Sequence, residues 1–292
     1  MIEDNEFYWK LLDALKDGVY FANTQRKITY WNKAAEEITG YRSAEVLGKF
    51  CGDNILIHID DRGNNLCTGP CPLSRAMAEG KPCEAAVYLH HKQGHRVPVY
   101  VRINPIRDAG GEIIGAVEVF SDNSAGEQFL QRAGNLKERQ LQDPVSEIPN
   151  RRYIEMKLQT SLGELKAYGW SLGLVYLRLE GLSHLKTGGK EAAYNGALKI
   201  IGRTLMNNIT PFDLVGRWQE DDFVALIHNV NADKLTETAD LYRVLLEKTD
   251  FTCLGEDIRL SASVGSEPAK KEDNETSLIE RARQRLAAGV SI

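Results

Sequence analysis

Apolar residues recur at Phe7, Leu11, Leu12 and Leu15, a spacing that predicts a short amphipathic helix closed by Asp17-Gly18. The period then shortens. In GVYFANTQRKITYWN, apolar Val19 and Phe21 precede polar residues Asn23 to Lys27, and Ile28 and Tyr30 follow, which predicts a hairpin. Helical pieces are expected over about 32–80, broken by Gly40, Gly48, Gly63 and Pro72. EAAVYLHHKQGHRVPVYVRINPI reads as a second hairpin turning at Gln93-Gly94. RDAGGEIIGAVEVFSD turns at Gly110-Gly111 and ends in a buried-looking run from Ile113 to Phe120.

A seam comes next. Ser124-x-x-Glu127 can form a capping box, and Phe129, Leu130, Ala133, Leu136 and Leu141 make one apolar stripe of a linker helix. Pro144 and Pro149 interrupt it. The pattern then predicts a helix over 150–168, a strand over 171–179 and a helix over about 190–207 with Ala197, Leu198, Ile201 and Leu205 on one face. DLVGRWQEDDFVALIHN predicts a hairpin turning at Gln219-Glu220-Asp221. A helix over 232–248, strands in DIRLSASVGS and a last helix from about Thr276 to Ala288 complete an α/β sandwich with helices packed on one sheet.

Composition narrows the class. Two domains are the prior for 292 residues. A net charge of −5 argues against nucleic acid as the main partner. No apolar run approaches the roughly 18 residues of a membrane span, and the acidic, amphipathic N-terminus lacks the pattern of a signal peptide. The expectation is a cytoplasmic chain without a membrane partner.

Over about residues 8–122, ITYWNKAAEEITGYRSAEVLGK follows the pattern N-x-A-x-x-x-x-x-G-Y-x-x-x-E-x-x-G, and GHRVPVYVRINPIRDAGGEIIGAVEVFSDNS ends in Asp122-x-Ser124. This stretch resembles a PAS sensor domain. The resemblance implies a five-stranded antiparallel sheet with short helices over one face.

Over about 144–292, Ile148-Pro-Asn-Arg-Arg152 looks like an opening LPNRR, Arg217-Trp-Gln-Glu-Asp-Asp-Phe223 falls where R-Y-G-G-D/E-E-F is written, and Ser263-Val-Gly265 looks like SIG. The stretch resembles a GGDEF domain of the diguanylate cyclase family. The fold class expected for the chain is therefore α+β, a PAS fold joined by a helical linker over 123–143 to a GGDEF-type α/β sandwich.

The resemblance also exposes departures. Gln219-Glu220 replaces the paired glycines that let backbone approach the nucleotide, and Glu220 adds negative charge where the triphosphate would lie. Arg178 falls at the acid that helps hold Mg²⁺, and a guanidinium cannot ligate a metal. Lys186 and Asn195 fall at the guanine-reading positions. Asp213 keeps the second member of an Arg-x-x-Asp product-binding motif, with Thr210 in place of the arginine. ARQRLAAGV lacks the acid, tyrosine and lysine of the late helix. What survives is Asp221 and Asp222, expected as vestigial acids on a solvated hairpin tip. Asn195, Lys186 and Asp213 remain as nucleotide-binding candidates for GTP or cyclic di-GMP.

Candidate chemistry in the first stretch centres on Cys51, Cys67, Cys71 and His58. If that piece is helical, Cys67-x-x-x-Cys71 puts two thiols one turn apart, facing one metal, with Cys51 or His58 as a further ligand. Three readings stand: buried thiol filler, a zinc or iron–sulfur centre, and a redox-active thiol pair. His58 is the only histidine on the helical side that could be an axial haem ligand. His90, His91 and His95, flanking one hairpin turn, are expected as surface histidines. Trp31 and Tyr41 are candidates to contact a small ligand, against core packing.

The reading that follows is a cytoplasmic signalling protein, by family resemblance a homodimer, in which a PAS sensor controls a catalytically degenerate GGDEF domain acting on a downstream protein or by holding a nucleotide. The rivals are an active diguanylate cyclase, which would join two GTP into cyclic di-GMP with Mg²⁺, and a structural dimerisation module.

Overall fold

The computed structural model describes residues 5–53, 55–124, 140–255 and 258–287. The chain divides into two compact units, Met1–Ser124 and Ala125–Ile292. Phe129, Leu130, Ala133 and Leu136 of the linker stripe and the Glu127 end of the capping box fall outside the described residues, whereas Leu141 is buried in non-helical backbone whose carbonyl accepts from Asn150 N at 2.9 Å, so the expected helix does not reach it.

In the first unit, α1 (Asn5–Asp13) precedes the hairpin β1 (Gly18–Asn23) and β2 (Ile28–Trp31). Short helices α2 (Lys33–Thr39), α3 (Ser43–Val46) and α4 (Pro72–Glu79) follow, then β3 (Cys83–His90), β4 (Arg96–Arg107) and β5 (Ile113–Asp122). The five strands form one antiparallel sheet in the order β2-β1-β5-β4-β3. Alternation sends Val97, Val99, Val101 and Ile103 of β4 into the core, where they meet Ala116 and Phe120 of β5.

Several sequence expectations shift by a residue or a turn. Helix α1 ends at Asp13, four residues early, because Asn32 claims the chain beyond it. This buried amide donates to the carbonyls of Leu12 (2.9 Å) and Asp17 (3.0 Å), and its Oδ1 accepts from Val19 N and, as the α2 N-cap, from Ala35 N, both at 2.8 Å. That is the physical content of the opening asparagine of the N-x-A pattern. Its later glycine, Gly40, closes α2 in the left-handed conformation (φ 74°). In β1 the core takes Tyr20 and Ala22, while Phe21 packs on the other face with Tyr30 and Trp9. The Ile113–Phe120 run is an alternation with Ile114 exposed, and its inward positions include one acid, Glu118. Pro72, expected to break a helix, instead begins one at its first turn.

The second unit comprises α5 (Arg151–Tyr168), β6 (Leu172–Glu180), α6 (Ser183–Thr187), α7 (Glu191–Asn207), β7 (Leu214–Gln219), β8 (Asp222–His228), α8 (Ala232–Glu247), a 3-10 turn (Thr252–Leu254), β9 (Ser261–Pro268) and α9 (Glu275–Ala287). Its sheet runs β7-β8-β6-β9, with every pairing antiparallel. Helices cover both faces. Val175, Leu177 and Leu179 of β6 pack against α7 and α8, whereas Leu172, Leu174 and Tyr176 pack against α5 and α9. Gly181 turns the chain out of β6 at φ 100°, and a Cβ there would lie 2.2 Å from the Arg259 carbonyl oxygen, so the glycine is required. Among the described residues, no helix is long and apolar enough to cross a membrane.

Candidate functional site

The β7–β8 hairpin carries the signature acids. Register places Asp222 directly opposite Arg178 of β6. The guanidinium grips the carboxylate with two bonds, Nε to Oδ1 and a terminal nitrogen to Oδ2, each 3.0 Å. Tyr176, two residues earlier on the same face of β6, donates its hydroxyl to Oδ2 at 2.6 Å, and Gln219 Nε2 donates to the same oxygen at 3.2 Å. Burial alone would raise the Asp222 carboxyl, but the bonds from Arg178 and Tyr176 outweigh it and hold it below the ordinary aspartate range. The same contact pushes Arg178 further up, and burial followed by the Asp222 bond raises the Tyr176 phenol.

Asp222 is therefore not on a solvated tip. Its side chain is 7% exposed. Asp221, half-buried, accepts from the Tyr194 hydroxyl at 2.6 Å. Burial first, and Asp221 second, push the Tyr194 phenol up to about 12. Of the three hairpin acids, Glu220 is the exposed one. It holds a positive φ of 36°, a conformation that a glycine adopts without strain, and its carboxylate lies 3.4 Å from Lys186 Nζ. Arg217 ties the turn down, donating Nε–H to the Glu220 carbonyl at 2.8 Å and pairing with Asp143 at 3.1 Å.

The hairpin thus gathers Lys186, Tyr194, Glu220 and Asp221 on one side and Arg178, Tyr176, Gln219 and Asp222 on the other. Asn195 is half-buried on α7 beside Tyr194. Asp213 stands apart, at the opposite end of β7. It braces its own turn through Thr210 N and Oγ1 and accepts from His228 N at 2.9 Å. A divalent cation does not fit this arrangement. The side chain opposite Asp222 is a cation, and Asp222 already receives four hydrogen bonds from protein donors. Tyr176 was not found from sequence, though its i, i+2 spacing with Arg178 on one strand was a readable signal, and Gln219, read as a glycine replacement in the turn, was not expected to bond Asp222.

In the first unit, Cys51, Cys67 and Cys71 are buried free thiols. The condition for a shared metal face, a helical turn between Cys67 and Cys71, is not met: Cys71 is the N-cap of α4, and Pro70 and Pro72, which flank it, donate no backbone bond. Cys67 Sγ accepts from His58 N at 3.4 Å. Among the described residues, no three His, Cys, Asp or Glu side chains converge to hold a metal. Burial, then the negative charge of Glu118, push the Cys51 thiol up to about 12. Burial also raises Cys67 to about 11. Both thiols are held in their protonated form, which is not the nucleophile of thiol exchange.

The acid beside these thiols was not foreseen. Glu118 accepts from the Tyr20 hydroxyl at 3.0 Å through Oε2, while its Oε1 faces His58 Nε2 at 3.7 Å, and both of those atoms are buried without a hydrogen bond. Trp31 is core: its indole donates to the Tyr41 carbonyl at 3.1 Å and its ring lies 6.3 Å from Phe120. Tyr41 is half-buried, with its hydroxyl 3.5 Å from His90 Nδ1. His90 and His95 are buried rather than at the surface, because the hairpin carrying them folds against the segment over Leu56 and Ile59.

A five-stranded antiparallel sheet with short helices, followed by a four-stranded sheet sheathed by helices with its signature on a hairpin, defines a two-domain α+β protein. Comparison agrees: residues 16–125 match the family described as PAS domain, and residues 140–289 match the family described as diguanylate cyclase, GGDEF domain. The chain belongs to the GGDEF-domain family and carries a PAS domain ahead of that domain. This order supports a part in cyclic di-GMP signalling. The chain is 22% identical over 265 residues to the probable diguanylate cyclase DgcE of Escherichia coli strain K12, covering 91% of this chain and 23% of that protein. It is 22% identical over 181 residues to the diguanylate cyclase DgcP of Pseudomonas aeruginosa, covering 62% of this chain and 27% of that protein. It thus spans about a quarter of either relative. Among solved structures, a microbial GGDEF domain described with cyclic di-GMP matches at 24% identity and TM-score 0.45, covering 53% of this chain and 92% of that one. A PAS domain from Colwellia psychrerythraea matches at 21% identity and TM-score 0.35, covering 40% and 94%.

Proposed function

We propose that the chain is a signal-transduction protein in which the PAS unit governs a GGDEF unit that does not turn over GTP and acts by protein contact or by holding a nucleotide. The observation that carries this is the Arg178–Asp222 pair. Phosphoryl transfer is mostly positioning and charge neutralisation by bound cations. Here a fixed guanidinium stands where the family resemblance calls for a metal-ligating acid, and it neutralises one hairpin acid internally. Glu220 places a further negative charge at the turn, and Lys186, at a guanine-reading position, is drawn toward it. A soluble homodimer in the cytoplasm, with residues 123–143 as the connection that transmits the signal, completes the reading.

The test is direct. Purified protein incubated with GTP and either Mg²⁺ or Mn²⁺ is expected to yield no cyclic di-GMP above a protein-free blank by chromatography. Product that disappears in Asp221→Ala would sink the proposal and establish the cyclase reading in its place. Calorimetric titration with GTP and with cyclic di-GMP then separates an output that holds a nucleotide from one that works by protein contact alone.

A further inference from the structure

We propose that a cleft at the far end of β8 from the signature hairpin is a docking pocket for an arginine side chain presented by a partner protein. The inference deepens the protein-contact output proposed above and rests on that reading. The cleft encloses about 250 Å³ between α5, the start of β6 and the turns before β7 and after β8. That is smaller than the roughly 300–1,000 Å³ of cavities that enclose a drug-sized molecule, and it is on the scale of one long side chain.

Its walls are aromatic and its only charge is negative. Trp170 and Phe212 line it while remaining 57% and 74% exposed. Exposing two such rings is costly unless something covers them. Tyr168, itself exposed, lies beside Trp170 with ring centroids 5.2 Å apart and widens the aromatic surface. Glu164 of α5 lies in the cleft half-buried, with neither hydrogen bond nor ion pair among the described residues, and no lysine or arginine lines the space. The floor is the Ser161–His228 pair, Oγ to Nε2 at 2.9 Å, with the Asp213 carboxylate 3.9 Å beyond Nδ1.

This combination selects the occupant. A cation is attracted to the faces of indole and phenyl rings. A planar guanidinium stacks on such faces and forks to a carboxylate, and it sheds water more readily than an ammonium. The ring pair supplies the stacking surface and Glu164 supplies the unpaired acceptor. A phosphate or carboxylate ligand would meet Glu164 and Asp213 as like charges. Exposed Trp and Tyr around a pocket are also the residue types that anchor protein interfaces.

The test uses the full chain labelled with 5-fluorotryptophan. Trp170 is assigned by Trp170→Phe, and the resonances of Trp9, Trp31 and Trp218 serve as internal controls. The probe is acetyl-Gly-Arg-Gly-amide, compared with the same peptide carrying citrulline, which keeps the shape and loses the charge. The Trp170 resonance is expected to shift saturably with a dissociation constant on the order of 1 mM, the strength of one anchored side chain without its flanking surface. Citrulline should leave it unmoved, and Glu164→Gln should weaken binding by roughly fivefold or more, as the loss of a charge-assisted contact does. A Trp170 resonance that does not move, that moves equally with citrulline, or that ignores Glu164→Gln overturns the proposal. A GTP assay on the same preparation keeps the two readings apart: cyclic di-GMP would overturn the output proposal, while the titration judges the cleft by itself.

Discussion

Arg178→Ala is expected to lower the unfolding free energy of the second unit by about 2–3 kcal/mol. Removing one partner of a wholly buried ion pair costs roughly 3–5 kcal/mol, because the other charge stays desolvated and unpaired. The figure is discounted here because the guanidinium is 37% exposed and partly screened by water. Tyr176 and Gln219 also continue to donate to Asp222. Urea denaturation should show a lower midpoint at an unchanged slope. The double variant Arg178→Ala/Asp222→Ala should recover part of the loss, since no buried charge is then left without a cation. Arg178→Asp, which restores the acid of the family pattern, should be worse than alanine: it sets two carboxylates opposite each other across β6 and β8. A loss below about 0.5 kcal/mol for Arg178→Ala would mark a screened surface contact, and the proposal of an internally neutralised hairpin would lose its support. The sign with pH follows from Asp222. Its carboxyl is held below the unfolded value of 3.8, so its contribution is present above that value and is lost as acid protonates the folded state.

The contrast between what the sequence revealed and what it hid has a physical basis. Elements with long period and clear caps were legible: the helix over 150–168 begins one residue later because Asn150 is its N-cap, accepting from Tyr153 N. The β7–β8 hairpin lay where polar residues split two apolar runs. Arg178 and Asp222 were each legible as positions in the signature, but their pairing was not: Asp222 was expected on a solvated tip, and the register of β6 with β8 is what sets it opposite Arg178. The further partners Tyr176 and Gln219 were less legible, because a tyrosine inside an apolar run reads as core until its hydroxyl finds an acid. Glu118 was hidden for the same reason. Alternation in EIIGAVEVF identifies a strand, but only the register with β1 and β4 shows that the acid points inward. The Cys67–Cys71 spacing puts two thiols on one face only if that piece is helical, and Pro70 and Pro72 keep it from being so.

Glu118 and His58 should make two single variants respond to pH in opposite directions. Burial raises the Glu118 carboxyl from 4.5 to about 7, with the Tyr20 bond working against the shift. Burial, helped by Arg96, lowers the His58 imidazole from 6.5 to about 4. The folded state thus keeps a proton on Glu118 that the unfolded chain releases, so the stability this proton confers is full below about pH 4.5 and is lost as pH rises through 7. The folded state likewise keeps His58 neutral where the unfolded chain charges it, so that contribution is full above pH 6.5 and is lost as pH falls through 4. Between about pH 4.5 and 6.5 the folded state holds one proton on Glu118 and the unfolded chain holds one on His58. The counts match, and the pair adds almost no pH slope to the wild-type protein. Removing one member uncovers the other. Relative to wild type, Glu118→Gln should lose about 3 kcal/mol of stability between pH 6.5 and 4, the amount that follows from the displacement of His58 alone. His58→Gln should lose a similar ~3 kcal/mol in the other direction, as pH rises from 4.5 to 7 and Glu118 must ionise in the core. Urea midpoints of the first unit across pH 4–8 measure both. Parallel profiles for the two variants would mean that the carboxyl and the imidazole reach water in solution, and that the 3.7 Å gap between their unpaired atoms does not govern where the proton sits.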